Sequence, residues 1–148
     1  MAGDHFDLGL VGQPVDSDTG LLVDLLRLGY VPVVASIGVD REGALLNVNA
    51  DTLAGHLAAT LGVDRLVIAG GTAGVLDTEG RTIDVLTIDD IEAMTASGAA
   101  HSGMIAKLAA CRCALVGGVA HVTIVLGRGG VDYTIATGTR IERAGIRA

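Results

Sequence analysis

Residues 45–71 read LLNVNADTLAGHLAATLGVDRLVIAGG, and the order of elements in this stretch decides the fold. Its middle predicts a helix from Asn49 to Leu61, with Asn49 or Asp51 as the N-cap and Gly62 just past its end. A short apolar run precedes this helix, and a longer apolar run follows it and ends in glycines. Strands that alternate with helices in this way are typical of an α/β domain.

The elements upstream of this stretch extend the alternation. Leucines spaced as on one helix face predict a helix over 21–28. The run YVPVVAS at 30–36 predicts a buried strand with Pro32 near its start, and residues 37–49 predict a hairpin with Asp40–Gly43 at its tip. The candidate N-caps of the first helix are Asp16, Ser17 and Asp18.

The downstream half predicts more strands and two further helices. In order, these are a turn at Thr78–Gly80, a helix capped by Thr87 and running through Met94, a helix at Ser102–Val116, a strand at 121–127 and a last strand at 138–141. Because most strands are apolar on both faces, we expect a layered α/β/α sandwich with a mainly parallel sheet. Ligands of such sheets bind at the carboxyl ends of the strands.

Composition narrows the possible partners. The chain has 148 residues, which predicts one domain, and its three aromatic residues predict an aliphatic core. A net charge of −7 argues against nucleic acid. No apolar run approaches the roughly 18 residues of a membrane span. The N-terminus has no signal pattern, which predicts a cytoplasmic protein.

Three groups of residues carry candidate chemistry. The first is Asn47, Asn49 and Asp51, at the junction between a strand and a helix. Alternation along the extended part puts the two amides on one side, where they could hold a polar ligand. Asn49 and Asp51 are also good N-caps, so a purely structural role stays open.

The second group is the glycine-rich turn AGGTAG at 69–74. Backbone N–H groups in such a turn can approach a phosphate or nucleotide closely. The spacing is not that of a P-loop, and no lysine follows it. A turn without a ligand is the alternative.

The third group is SGMIAK at 102–107, which ends in Lys107, the one lysine of the chain. A lysine one turn into a helix can reach phosphates gathered at that helix's N-terminus. An exposed lysine without a role is the alternative.

No metal site is expected. The four histidines have no zinc-site spacing. Cys111 and Cys113 are two residues apart in a predicted helix, where their side chains do not face each other, so we interpret them as packing thiols of a reducing compartment.

Taken together and in this order, these motifs resemble the C-terminal lobe of the amino-acid kinase family, most closely the acetylglutamate kinases. The resemblance covers about residues 7–141. The motifs that carry it are DLGLVG, GYVPVVASIGVDREGALLNVNADT, GVLD, SGMIAK and GTRI, and the pairing of NVNAD with a later GMxxK is its most specific part.

The resemblance implies transfer of the γ-phosphoryl group of ATP, bound with Mg²⁺, to the side-chain carboxylate of N-acetylglutamate or a related carboxylate, in arginine biosynthesis. It implies that Lys107 stabilises the charge on the transferring phosphoryl group and that Asp51 orients the catalytic lysines. Asn47 and Asn49 would hold the acceptor. The implied nucleotide-binding residues are Gly70, Gly71, Thr72, Gly74, Gly103 and Met104.

The resemblance also implies that the whole chain is one nucleotide-binding lobe and that the acceptor-binding N-terminal lobe lies outside it. We therefore expect little or no turnover from the chain alone, and either a partner lobe or self-association through an exposed apolar face. Relatives carry Thr-Asp or Ser-Asp where this chain has Gly70-Gly71, and the stretch between 126 and 138 is shorter here. These differences keep open a non-catalytic nucleotide- or effector-binding module, or a subunit with a purely structural role.

Overall fold

The computed structural model describes residues 9–15, 17–98 and 102–143. In that part of the chain it has four α-helices and seven β-strands. The helices are α1 (Gly20–Arg27), α2 (Ala50–Leu61), α3 (Ile88–Ala96) and α4 (Ser102–Val116). The strands are β1 (Val11–Gly12), β2 (Ile37–Val39), β3 (Leu45–Val48), β4 (Arg65–Gly70), β5 (Val85–Thr87), β6 (His121–Leu126) and β7 (Gly138–Glu142).

The α/β class is confirmed, but the strands form two mixed sheets. The larger sheet has the order β4-β6-β7-β5, and the smaller one has the order β1-β3-β2. Three of the five strand pairings are parallel, namely β1–β3, β4–β6 and β5–β7. Strands β6 and β7 are antiparallel because the turns at 127–137 hold no helix that could carry the chain back for a parallel pairing.

The core lies between the larger sheet and helices α2, α3 and α4, and it is aliphatic as predicted. Its largest fully buried side chains include Leu108, Leu115, Ile124 and Ile141. None of the described residues before Val48 is buried. The part of the chain described from Val48 onward therefore holds the whole of this core.

The helix ends follow their local sequence signals. Asn49 caps α2 by accepting a hydrogen bond from the Thr52 N–H, and Gly62 ends that helix at φ 62°. Thr87 caps α3 in a capping box with Asp90, and α3 runs two residues past the predicted end. Helix α4 has the predicted bounds. The hairpin is also confirmed, because Asp40 Oδ1 accepts from the Glu42 and Ala44 N–H groups at its tip.

Two predictions in the first third of the chain are wrong. Residues 30–36 form no strand, and the Val31 and Val33 side chains are 87% and 94% exposed. The Ser36 carbonyl accepts from the Val48 N–H, but among the described residues no segment covers the Val31 and Val33 side chains, so the apolar pattern has nothing to be buried against there. The N-cap of α1 is Thr19, which makes no side-chain cap hydrogen bond. Asp18 instead accepts from the Gly20 N–H, Ser17 binds His56, and Asp16 lies outside the described residues.

Within the described ranges, no helix is long and apolar enough to cross a membrane.

Helices α2 and α4 approach closely at Gly55. A Cβ on Gly55 would lie 2.5 Å from the Ala110 carbonyl oxygen and 2.9 Å from the Ala110 Cα. Both obstacles are backbone atoms, so only a separation of the helices could relieve the overlap. Glycine at this position therefore sets the distance between α2 and α4.

We predict that Gly55→Ala lowers the free energy of unfolding by about 1–3 kcal/mol, because overpacking a tight contact strains the core. Gly103→Ala is the matched control, since Gly103 is also helical but has nothing within 4 Å of an added Cβ. The control should leave stability unchanged or slightly higher. Chemical denaturation of both variants measures the difference, and equal midpoints would contradict the close contact.

Candidate functional site

An ion pair joins the first turn of α2 to α4. Lys107 Nζ lies 3.0 Å from Asp51 Oδ1 and 2.9 Å from Asp51 Oδ2, and each side chain is 21% exposed. An ammonium group has three N–H donors, and the carboxylate oxygens occupy two of them. The pair thus holds Lys107 in one position with a donor left for a ligand.

The helix contact at Gly55 explains why these two side chains meet. Asp51 lies one turn before Gly55 on α2, and Lys107 lies three residues before Ala110 on α4. Residues three or four apart share a helix face. The close approach of Gly55 to Ala110 therefore faces Asp51 towards Lys107.

The glycine-rich turn after β4 lies beside this pair. A Cβ on Gly70 would meet Lys107 Cε at 3.4 Å and Cδ at 3.8 Å, so the lysine stem runs along the Gly70 backbone. The Gly70 carbonyl accepts a hydrogen bond of 2.7 Å from the Gly127 N–H. Gly71 has no atom within 4 Å of an added Cβ, which leaves open space next to the lysine.

The rest of that turn is held by its own hydrogen bonds. Thr72 Oγ1 donates to the Gly74 carbonyl at 2.6 Å. Gly74 has φ 148°, and the next N–H, on Val75, donates to the buried Thr139 Oγ1 at 2.7 Å. The turn therefore has a fixed shape without a bound ligand.

Gly103 and Met104 lie at the start of α4. Gly103 lies one turn before Lys107, and a Cβ added to it would meet no atom of the described residues within 4 Å. Met104 is partly buried against the core. Gly103 is thus placed to border a ligand with its backbone, whereas the Met104 side chain packs inward.

The two asparagines have different surroundings. Asn49 makes the predicted cap, because its Oδ1 accepts from the Thr52 N–H at 3.1 Å. That bond leaves its Nδ2 group free to donate to a ligand. Asn47, on β3, is exposed and forms no side-chain hydrogen bond to any described residue. Neither amide hydrogen-bonds to the Lys107–Asp51 pair within that part of the chain.

The charges of the pair also act on the neighbouring thiol. The pKa of Cys111 is raised to about 12, mainly by burial and to a smaller extent by the Asp51 carboxylate, while the Lys107 ammonium acts to lower it. Cys113 is exposed, so the interpretation of both cysteines as packing thiols is correct for Cys111 and wrong for Cys113, because residues two apart on a helix face different directions. No group of three potential metal-ligating side chains exists among the residues described.

The chain belongs to the amino acid kinase family. A profile of the Amino acid kinase family matches residues 2–126, which is most of the chain. The motifs that suggested this family therefore gave the right assignment.

Named relatives and solved structures agree with the assignment. The chain is 44% identical over 121 residues to an acetylglutamate kinase of Dinoroseobacter shibae, an alignment that covers 82% of this chain and 42% of the relative. The chain thus spans about two fifths of the length of the curated relatives it matches. The structure of smu.665 from Streptococcus mutans is 28% identical, with a TM-score of 0.83 over 95% of this chain and 56% of that one.

A third comparison concerns the fold alone. Carbamate kinase of Giardia lamblia, solved with AMP-PNP, is 19% identical, with a TM-score of 0.71 over 90% of this chain and 47% of that one.

Two residues that shape the site were missed from the sequence. Gly55 lies inside a helix, where one glycine gives no sign of a close helix contact. Thr139 is fully buried near the start of β7, and its sequence neighbours Gly138 and Arg140 give no sign of a buried hydroxyl.

The two cysteines offer a test of this geometry. At pH 8, Cys113 should react with iodoacetamide, whereas Cys111 should stay unmodified because it is buried and its raised pKa keeps it a neutral thiol. Intact-mass and peptide analysis would show one modification in the folded protein and two in denaturant. Rapid modification of Cys111 in the folded chain would contradict the packing of α4.

Proposed function

We propose that this chain is the ATP-binding half of an acetylglutamate kinase-like enzyme, which transfers the γ-phosphoryl group of ATP to the side-chain carboxylate of N-acetylglutamate. The carrying observation is the fixed Lys107–Asp51 pair beside the Gly70–Gly74 turn. The acetylglutamate kinases among its relatives support the choice of acceptor. The proposal places the protein in arginine biosynthesis in the cytoplasm.

Lys107 is suited to a transferring phosphoryl group. Such a group carries negative charge over its oxygens, and catalysis rests mainly on positioning and charge stabilisation. The third N–H of Lys107 would donate to a phosphoryl oxygen, while Asp51 keeps the ammonium in place. The N-terminus of α4, one turn away, adds a favourable field for an anion.

The nucleotide would lie against the glycine-rich turn and the first turn of α4. The adenine and ribose would be bordered on one side by Gly70, Gly71, Thr72 and Gly74, and on the other side by Gly103 and Met104. Mg²⁺ would arrive with ATP, because Mg²⁺ usually binds substrate phosphates together with one or two carboxylates. Among the described residues, Asp51 is the one carboxylate that forms an ion pair with Lys107, which fits a metal held mainly by phosphates.

In the proposed reaction a carboxylate oxygen of the acceptor attacks the γ-phosphorus. A new P–O bond forms, the bond to the β–γ bridging oxygen breaks, and ADP leaves with that electron pair. The Nδ2 group of Asn49 and the exposed amide of Asn47 would hold the acceptor from this side.

We propose further that a second lobe completes the catalytic unit. The described residues between 9 and 47 contain no buried side chain, and many of their apolar side chains are exposed. These form what we call the uncovered face, which includes Leu21, Leu28, Tyr30, Val31, Val33, Ile37, Val39 and Leu45. An apolar face of this kind marks an interaction surface. The additional length of the relatives could supply its cover.

Nucleotide binding tests the first part of the proposal. Isothermal titration with Mg²⁺ and AMP-PNP should show binding to the wild type and about tenfold or weaker affinity in Lys107→Ala, since a charge-assisted hydrogen bond is lost. Arg112→Ala is the matched control, because Arg112 is a cation of the same helix, paired with Glu92 at 3.3 Å and exposed. It should bind like the wild type. Equal affinity in all three proteins would contradict the role of Lys107.

A second experiment tests the need for another lobe. The chain alone should give no acetylglutamate-dependent ADP, and addition of the N-terminal half of the Dinoroseobacter shibae acetylglutamate kinase should produce turnover. Val33→Asp should reduce that turnover on the order of tenfold or more, because a charge would be buried at the contact. Val116→Asp, an exposed valine at the end of α4, serves as the control.

The outcomes separate the candidate functions. Turnover by the chain alone would contradict the need for a second lobe. Nucleotide binding without turnover in any mixture would favour the alternative, a non-catalytic nucleotide- or effector-binding module. Size-exclusion chromatography of the same samples would show whether the uncovered face joins two copies of the chain instead.

A further inference from the structure

Thr139 is the one buried polar side chain among the residues that the structure describes. It is the second residue of β7, and its accessible surface is 0% of the full value. A buried hydroxyl is unfavourable unless it forms a hydrogen bond, so its partner indicates what it does. That partner is the N–H of Val75, the residue directly after the glycine-rich turn.

The contact between Thr139 and the turn is close. Thr139 Oγ1 accepts the Val75 N–H at 2.7 Å. A Cβ on Gly74 would lie 2.5 Å from Thr139 Oγ1 and 2.8 Å from the Thr139 N, so the Gly74 backbone rests directly on the threonine. A Cβ on the preceding Gly138 would overlap the Ile124 carbonyl and lie 3.0 Å from the Ala73 carbonyl. Strand β7 thus supports the turn over three consecutive residues, Ala73 to Val75.

The other end of the turn is fixed by backbone alone. The Gly70 carbonyl accepts from the Gly127 N–H, which follows β6. Val75 is held a second time, because its carbonyl accepts from the Ile83 N–H at 2.8 Å. Among the described residues outside 70–75, Thr139 is therefore the one whose side chain hydrogen-bonds to the backbone of that stretch.

We propose that Thr139 is a positioning residue for nucleotide binding. Its hydroxyl fixes Gly74 and Val75 and thereby sets where the turn at 70–74 meets the nucleotide. The inference rests on the proposed function, because it assigns a role to a turn that the proposed function places against ATP.

The variants that test this role are Thr139→Val and Thr139→Ser. Valine keeps the shape but leaves the buried Val75 N–H without an acceptor, whereas serine keeps the hydroxyl. We expect Thr139→Val to weaken binding of AMP-PNP with Mg²⁺ about tenfold and Thr139→Ser to restore it to within about twofold of wild type. Hydrogen exchange of the Val75 amide, read by mass spectrometry or NMR without nucleotide, should speed up in Thr139→Val alone.

Ile141→Val controls for a general loss of stability. Ile141 is buried in the same strand, and its truncation should lower the melting temperature without changing nucleotide affinity. If Thr139→Val does not fold, Thr139→Cys replaces it, because a thiol is a weaker acceptor and should give an intermediate loss of affinity. All titrations are run on protein shown by circular dichroism to be folded.

The two proposals fail in different ways. Wild-type protein that does not bind AMP-PNP would overturn the proposed function and, with it, the positioning role. Wild-type binding with unchanged affinity in Thr139→Val, or no rescue by Thr139→Ser, would overturn the positioning role alone. Faster Val75 exchange with unchanged affinity would also overturn it, because the hydroxyl would then hold the turn without serving the nucleotide.

Discussion

The close contact of α2 with α4 is the constraint on which the site depends. Gly55 removes the side chain that would separate the helices, and Ala110 presents backbone at the same point. Two side chains from distant parts of the sequence, Asp51 and Lys107, then meet with little exposure to water. The two charges stabilise each other at this distance, because a single charged group that is mostly buried would lose solvation without a compensating partner.

The larger sheet brings the remaining parts of the site to the same edge. Strands β4 and β6 are parallel, so their carboxyl ends, at Gly70 and Leu126, lie side by side. Glycine follows both strands, and the backbones there approach each other closely enough for the Gly127 N–H to bind the Gly70 carbonyl. The aliphatic part of the Lys107 side chain then lies along the Gly70 backbone. This surface results from the parallel pairing of β4 and β6 and not from the secondary-structure propensity of either segment.

Local signals in the sequence predicted most helix and strand positions. The Asn49 cap, the Thr87 capping box and the Gly62 end are short-range features, and each lies where its sequence pattern indicated. The failure at 30–36 has a different cause. Its apolar pattern is typical of a buried strand, but burial depends on a second surface, and the described residues place none over Val31 and Val33. An apolar sequence pattern does not show whether the rest of the chain provides a surface that covers the segment.

The candidate site divides in the same way. Asp51, Lys107 and the glycine-rich turn could be predicted as site residues from sequence motifs, and the structure brings them together. The Thr139 hydroxyl and the Gly55 contact could not be predicted, because each depends on a partner 64 or 55 positions away in the chain. Asn47 remains a predicted acceptor contact.

The absence of buried residues between 9 and 47 also bears on how the chain folds. A cooperative unit needs shared buried contacts, and within the described ranges these begin at Val48. Residues 9–15 and 17–47 should therefore open by local fluctuations that leave the rest intact. A partner that covers them would order them in the act of binding, and part of the contact energy would be spent on that ordering. Association and the completion of folding would then be a single event.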